Sequence, residues 1–405
     1  MNVKRFFSSP IHPVQMTLFI LIELLLIFDR DFAKFHLFSF FHLYDFLLLL
    51  TGVTAFIILL VKRRFSFHWP ILALLGISVA YLAYSVIFNI GPLNYIVRHY
   101  ALFMYLALFY VIYQSYIDKT AHQFNIRFML LIAAMALLFQ LGYFAYKAFF
   151  TNNFSLLGEF NYYSPMAVVG LIMCSSYTLS FPAGWKKKIL LYALSLLLLI
   201  PLGHASAFLA GFVMFFVYLG LQFKPAFKLQ VLISFVLLLV AFRVFVPAFS
   251  DTNSSWRIKY WAFILDKHFT EQYGLLGSGF GVPYANDELT QLMIDDLKQT
   301  TFDYQPEERY LSPPHNSFLT ILFHIGFLPM LLLFLPLKKP LAYLVARHDA
   351  DRPPVKDFLL LAFVGLTAWA SFNVVLELPH NSAFYWLVFF SLIYEFDRKE
   401  KAVSV

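Results

Sequence analysis

Long apolar segments alternate with short polar or basic ones along most of the chain, and this alternation predicts the secondary structure. An apolar run of about 20 residues suits a helix across the ~30 Å hydrocarbon core of a bilayer, where a helix satisfies its own backbone polar groups. The runs lack the alternating pattern of barrel strands. The sequence therefore predicts an all-α integral membrane protein with about twelve transmembrane helices. Their approximate bounds are 11–28, 43–61, 69–89, 97–117, 128–150, 163–182, 189–202, 204–221, 229–247, 315–337, 357–377 and 380–396.

Residues 189–221 form one apolar run of 33 residues, which is too long for a single transmembrane helix. Pro201 and Gly203 interrupt this run, so we divide it into a helical hairpin. The positive-inside rule tests this choice. With the hairpin, and with both termini in the cytoplasm, 20 of the 30 Lys and Arg residues fall on the cytoplasmic side. A single long helix would instead place Lys338 and Arg398 outside.

The connection between the predicted ninth and tenth helices is the one long polar segment, residues 248–314. In the predicted topology it lies outside the cytoplasm, and its ten acidic and five basic residues give it a net charge of −5. Trp256, Tyr260 and Phe263 recur at helical spacing, which predicts a helix that begins at Trp256 and has an aromatic face. A second short helix is predicted from Asn286. The chain thus divides into transmembrane helices 1–9 in residues 1–247, the extracytoplasmic segment 248–314, and transmembrane helices 10–12 with a cytoplasmic tail in 315–405.

The composition agrees with a membrane protein and excludes a soluble one. Hydrophobic residues make up 60% and charged residues 13% of the chain, against about 45–50% and about 25% in soluble domains. A net charge of +7 on a soluble domain would suggest nucleic acid. Here the excess belongs to the cytoplasmic side, so we expect membrane lipids and no nucleic acid as partners. The sequence has no Walker A motif, His-Glu-x-x-His motif or cysteine pair, and we predict no metal site and no cofactor.

Ionisable side chains at the predicted outer ends of helices are the candidates for chemistry, because such groups are costly at a bilayer. Arg257 lies on the predicted aromatic helix, and His315 opens the tenth transmembrane helix. Both also have a structural interpretation, Arg257 as a snorkelling anchor and His315 as a helix cap. The segment Gly277–Gly281 is either a turn or a cradle whose backbone N–H groups bind phosphate.

Three linked stretches resemble the O-antigen ligase and O-antigen polymerase superfamily of bacterial envelopes. They are Ser-Ser-Trp-Arg257-x-x-x-Trp261, then Gly277-x-Gly-Phe-Gly281, then His315-Asn316 followed by nine residues and Gly326. In that family an Arg, a Gly-rich turn and a His-Asn pair lie on the largest outer loop and the helix after it. One departure is His204, which stands where the family often has an arginine.

The resemblance implies a GT-C-like fold in the bacterial inner membrane and an extracytoplasmic glycosyltransferase with a polyprenyl-diphosphate-linked glycan as donor. The acceptor is a glycan or glycolipid: lipid A–core for a ligase, a growing lipid-linked glycan for a polymerase. Arg257 and His315 are then the expected catalytic residues, and His315 either accepts the acceptor's proton or holds the diphosphate. Glu377 is a second candidate for the base. The substrate-binding candidates, for the diphosphate or the glycan, are Arg98, His204, Trp256, Trp261, Asn316, Glu377 and His380.

Two other functions stay open at the level of the sequence. A transporter or flippase of lipid-linked sugars is expected to have a midplane site, broken helices in both halves and repeat symmetry. This sequence shows no repeat symmetry, and its polar groups cluster at one face. The third function is that of a non-catalytic envelope scaffold. We therefore expect glycosyl transfer, with ligase and polymerase undistinguished.

Overall fold

The computed structural model describes residues 14–18, 20, 21, 36–38, 41–62, 68–117, 119–150, 165–181, 184–197, 205–222, 252–266, 273, 275–297, 306–346 and 352–398. Within these ranges the chain is helical apart from its connections and one antiparallel pair of short strands, β1 His36–Phe38 and β2 Phe41–His42. The all-α prediction is therefore confirmed. The helices are α1 Leu43–Lys62, α2 Trp69–Ile87, α3 Leu93–Tyr116, α4 Lys119–Phe150, α5 Pro165–Ser180, α6 Trp185–Leu197, α7 Ala205–Gln222, α8 Thr252–Asp266, α9 Asp287–Leu297, α10 Glu308–Leu311, α11 Ser317–Ile325, α12 Phe327–Leu331, a 3-10 turn Leu335–Leu337, α13 Lys338–Val345, α14 Pro354–Ala370 and α15 Pro379–Asp397.

Four helical segments in the described residues are long and apolar enough to cross a membrane. They are α1, α2, α3 and the segment Phe327–Val345 that runs through α12 and α13. Shorter apolar helices lie at Asn125–Met135, Val168–Ser180 and Ser206–Gln222. The count of twelve spans stays a prediction, since the predicted ninth helix, 229–247, lies outside the described residues.

Several predicted helix ends differ from the observed ones. Helix α3 begins at Leu93 rather than 97, and α4 begins at Lys119 rather than 128, because hydropathy marks the apolar stretch and misses the polar turns at its ends. Helix α14 ends at Ala370 rather than 377. The prediction of one continuous tenth helix over 315–337 is wrong. The helix is divided at Gly326, whose φ of 86° ends helix α11.

The predicted hairpin between the seventh and eighth helices is observed as the separate helices α6 and α7. The Tyr192 hydroxyl of α6 donates to the carbonyl oxygen of Gly211 in α7. The Tyr192 ring also stacks on Phe215 of α7, with 5.1 Å between the centroids. Tyr192 therefore links the two helices; the connection containing Pro201 and Gly203 lies outside the described residues, so the hairpin stays a prediction.

Helix α15 lies at the centre of the helical core, because its side chains are buried almost continuously from Ala383 to Ile393. It packs against α3, α5 and α14. The outer helices have one buried face and one exposed apolar face. In α1 the exposed side chains include Leu50, Val53, Ile57 and Leu60. Exposed apolar surface of this extent suits contact with lipid.

A buried polar group ties three helices together at the predicted cytoplasmic end. The imidazole of His122 in α4 contacts Glu395 Oε2 of α15 at 2.9 Å and the Tyr113 hydroxyl of α3 at 3.0 Å. Arg398 lies 3.3 Å from the other oxygen of Glu395. These contacts orient α3 and α15 relative to each other, and the outer ends of both helices reach the candidate site.

Candidate functional site

Helices α8 and α9 pack against α11 and form a small core of their own. Helix α8 begins at Thr252, one turn before the predicted start at Trp256, because the polar residues ahead of the aromatic face supply the first turn. In α9 the predicted start is confirmed, since the Asn286 side-chain oxygen accepts the Leu289 N–H at 2.9 Å. The buried members of this core are Tyr260, Ile264, Tyr284, Ala285, Leu289, Met293, Leu319, Leu322 and Phe323.

The structure brings Arg257 and His315 to the same aromatic side chain, Trp256. The guanidinium carbon of Arg257 lies 5.6 Å from the centroid of the indole ring. The His315 ring meets the indole at 90°, with 5.1 Å between centroids. Arg257 Nη1 also donates to the carbonyl oxygen of Phe372 at 3.2 Å. Two side chains suited to phosphate oxygens are thus held beside one ring.

Helix α8 also holds the segment that presents His315. The Tyr260 hydroxyl donates to the Ser312 carbonyl at 2.9 Å, and the Trp261 indole N–H donates to the Pro314 carbonyl. His315 itself has φ of 51°, an uncommon conformation for a residue with a side chain. Trp261 was predicted to bind substrate. Its indole N–H is occupied in positioning the His315 segment, while its ring packs at 5.3 Å from Phe372.

Asn316, also predicted to bind substrate, is the N-cap of helix α11. Its side-chain oxygen accepts the N–H groups of Phe318 and Leu319, both at 3.1 Å. We expect Asn316→Ala to lower the free energy of unfolding by about 1 kcal/mol, and Asn316→Asp to preserve the cap. Thermal unfolding of the purified variants in detergent checks this. A loss of activity in Asn316→Ala with unchanged stability would instead make Asn316 a substrate contact.

The loop between α14 and α15, residues 371–378, is held by side chains from four directions. Arg257 binds its Phe372 carbonyl, and the Asn373 amide donates to the Ser206 hydroxyl of α7 at 2.6 Å. The Asn381 amide donates to the Val374 carbonyl at 3.1 Å. Ser317 Oγ accepts the N–H groups of Val375 and Leu376 at 3.0 and 3.1 Å. The loop therefore connects α8, α7, α11 and α15 at the site.

Glu377 lies in this loop and is joined to Ser317, with 2.5 Å between Glu377 Oε2 and Ser317 Oγ. The other oxygen, Oε1, is closed to solvent and has no hydrogen-bond partner. Burial raises the pKa of Glu377, and the hydroxyls of Ser317 and Thr320 partly oppose this rise. The structure therefore places Glu377 directly beside the His315–Asn316–Ser317 segment.

The Gly-rich turn Gly277–Gly281 does not present its backbone as a phosphate cradle. Each of its five N–H groups donates to a group of the protein, at 2.7–3.1 Å. The acceptors are the Tyr81 hydroxyl, the carbonyls of Phe323 and His324, the Ser85 hydroxyl and His99 Nδ1. The turn instead joins α11 to α2 and α3, which decides between the two alternatives for this motif.

Two histidines that are not among the predicted catalytic or substrate-binding residues lie under this turn. His99 Nδ1 accepts the Gly281 N–H at 3.1 Å, so Nε2 carries the proton that goes to the Tyr310 carbonyl at 2.8 Å. His324 Nδ1 donates to the Gly279 carbonyl at 2.8 Å; in the neutral ring Nε2 accepts from the Tyr284 hydroxyl at 2.8 Å. The two imidazole rings are 4.7 Å apart. Their pairing joins elements more than 200 residues apart, which no local pattern reveals.

Arg98 lies in the second turn of α3, half-buried, and reaches the same region. Burial raises the pKa of Tyr284; the charge of Glu377 adds to the rise and the charge of Arg98 opposes it. The Tyr284 hydroxyl is therefore within the electrostatic reach of both side chains. Among the described residues, no hydrogen bond or ion pair engages the Arg98 guanidinium.

Two predicted site residues cannot be placed. His204 lies outside the described residues. His380 belongs to the first turn of α15, but the structure does not describe its side chain. In the part of the chain that the structure describes, no group of three or more His, Cys, Asp or Glu side chains is placed to hold a metal ion. No protein family, curated protein or solved structure matches the chain.

Proposed function

We propose that this protein is an extracytoplasmic glycosyltransferase that uses a polyprenyl-diphosphate-linked glycan as donor. The observation that carries the proposal is the placement of Arg257 and His315 on Trp256, next to the loop that holds Glu377. Cations and a carboxylate are the groups needed when a hydroxyl displaces a diphosphate. The same proposal includes twelve spans, a GT-C-like fold, cytoplasmic termini, the bacterial inner membrane and membership of the O-antigen ligase and polymerase superfamily.

The proposed reaction needs a base for the attacking hydroxyl and positive charge for the departing diphosphate. An acceptor sugar hydroxyl attacks the anomeric carbon, and the bond to the diphosphate oxygen breaks with its electron pair on the leaving group. Negative charge then grows on phosphate oxygens, which Arg257 stabilises because its planar guanidinium binds two oxygens at once. Arg98, half-buried and not engaged by another described side chain, supplies a second positive charge for the diphosphate.

The test is reconstitution of the full chain in vesicles with a lipid-linked oligosaccharide and two alternative acceptors. We expect a new glycosidic bond to one of them, either lipid A–core or a second lipid-linked glycan, which distinguishes ligase from polymerase. Movement of the lipid-linked sugar across the vesicle membrane without bond formation would support the transporter or flippase instead. If the protein neither bound nor converted the lipid-linked donor, the result would support the non-catalytic envelope scaffold.

A further inference from the structure

The two oxygens of the Glu377 carboxylate differ in their hydrogen bonds: Oε2 is held by Ser317, and Oε1 is buried without a partner. Ser317 Oγ accepts the N–H groups of Val375 and Leu376, so both of its lone pairs are used. Its single proton therefore points to an acceptor, and Glu377 Oε2 at 2.5 Å is nearer than the Asn373 carbonyl at 3.3 Å. The Ser317 side chain itself is fully buried. Glu377 Oε2 is thus fixed by a hydroxyl that has no freedom to turn.

The second oxygen of the Glu377 carboxylate, Oε1, has no hydrogen bond like the one that Ser317 gives to Oε2. Oε1 is closed to solvent and accepts no hydrogen bond of good geometry, while the Thr320 hydroxyl and the backbone N–H groups of Val375 and Glu377 lie near the carboxyl group. A buried acceptor left without a donor is energetically unfavourable, and more so when it is charged. Such an oxygen gains stabilisation from a hydroxyl donor that arrives with a ligand. The residue as a whole is half-buried in a connecting loop, so approach of a ligand does not require a helix to unfold.

Three side chains that can carry positive charge, Arg257, His315 and Arg98, lie in the same region as the loop that contains Glu377. The phosphate-binding candidates Arg257 and His315 lie on Trp256, and Arg257 binds the same loop at the Phe372 carbonyl. Arg98 and Glu377 both act on the Tyr284 hydroxyl, from α3 and from the loop. Cations suit a leaving diphosphate, so the carboxylate is the group of this cluster that suits an attacking hydroxyl.

We propose that Glu377 is the general base: its Oε1 accepts the proton of the attacking acceptor hydroxyl, while Ser317 positions the carboxylate through Oε2. The inference rests on the proposed function and assigns the proton that His315 was also a candidate to receive. The acceptor oxygen bonds to the anomeric carbon, the carbon–phosphate oxygen bond breaks with its electrons on the lipid diphosphate, and the proton passes from Glu377 to water. His315 then serves the diphosphate with Arg257.

The experiment compares Glu377→Gln with wild type in the reconstituted full chain, using the lipid-linked donor and the acceptor that wild type extends. Glutamine keeps the contact with Ser317 but does not accept a proton at neutral pH. We expect kcat to fall at least about 100-fold, with an unchanged donor KM and an unchanged unfolding temperature. Glu307→Gln, which changes an exposed acid upstream of the same site, is the matched control and should keep the wild-type rate.

The variant Ser317→Ala tests whether Ser317 positions the Glu377 carboxylate for catalysis or only stabilises the fold. Loss of its hydrogen bond removes a contact that holds the pKa of Glu377 down. The acid limb of the pH–rate profile, where activity rises as the base loses its proton, should therefore move to higher pH. Wild-type activity in Glu377→Gln, or an equal loss in both variants without a pH shift, would overturn the inference. If Glu377→Gln does not fold, restoration of Glu377→Ala by added formate supplies the same test. An inactive wild type would count against the proposed function itself.

Discussion

Replacement of Arg257 by alanine is expected to lower the rate of glycan transfer about 100- to 1000-fold, the cost of removing one preorganised donor to a developing oxyanion. Arg257→Lys should recover little of the rate. An ammonium group keeps the charge but neither binds two phosphate oxygens in parallel nor maintains the contacts with Trp256 and the Phe372 carbonyl. The measurement is the initial rate of product formation in reconstituted vesicles, or the glycan ladder in cells that depend on the protein.

Arg309→Ala is the matched control for this variant. It removes a guanidinium from the same segment, residues 248–314, where Arg309 forms an ion pair with the exposed Asp287. Exposed pairs contribute little to stability, so this variant should remain folded and active. Equal activity of Arg257→Ala and wild type would remove Arg257 from the mechanism and leave it as an anchor.

Replacement of Gly326 by alanine is expected to have the largest effect on stability, about 3 kcal/mol or more. Gly326 has φ of 86°, and a Cβ atom there would lie 2.5 Å from the Leu275 carbonyl oxygen and 2.7 Å from the Leu276 carbonyl carbon. Both neighbours are backbone atoms, so the strand-like contact between Leu276 and Gly326 would have to open. The check is thermal unfolding of the detergent-purified variant.

Gly76→Ala provides the comparison for Gly326→Ala. Gly76 lies within α2, and a Cβ atom there meets nothing within 4 Å. Alanine is favoured over glycine in a helix by up to about 1 kcal/mol, so this variant should be as stable as wild type or more so. If Gly326→Ala unfolded at the wild-type temperature, the contact at Gly326 would not be needed for stability.

The sequence predicted elements that follow from local patterns. Apolar runs located α1, α2, α5, α7 and α15 to within a few residues. Contacts across long separations were not predicted. The bond between Ser317 and Glu377 joins residues 60 apart, because it depends on how α11 packs against the loop ahead of α15.

Single residues also changed their interpretation once their neighbours were known. The Asn316 side-chain oxygen caps helix α11, and the Trp261 indole N–H holds the Pro314 carbonyl, so both groups have a structural role in the protein. The division of the predicted tenth helix at Gly326 was missed because the apolar pattern continues unchanged through Phe327 and Leu328. Hydropathy records which side chains are apolar, whereas the break is a property of the backbone.

The Gly-rich turn takes its hydrogen-bond partners from both earlier and later parts of the chain, which sets an order for biogenesis. Gly277 and Phe280 donate to side chains of α2, 196 and 195 residues earlier. Ser278 binds the Phe323 carbonyl 45 residues later, in α11. During synthesis residues 277–281 emerge before α11, so the N–H groups of Ser278 and Gly279 lack their carbonyl acceptors until α11 is made. The Gly-rich turn and α11 therefore fold together. A nascent chain that stops before residue 317 leaves the N–H groups of Ser278 and Gly279 without these acceptors and exposes them to quality control.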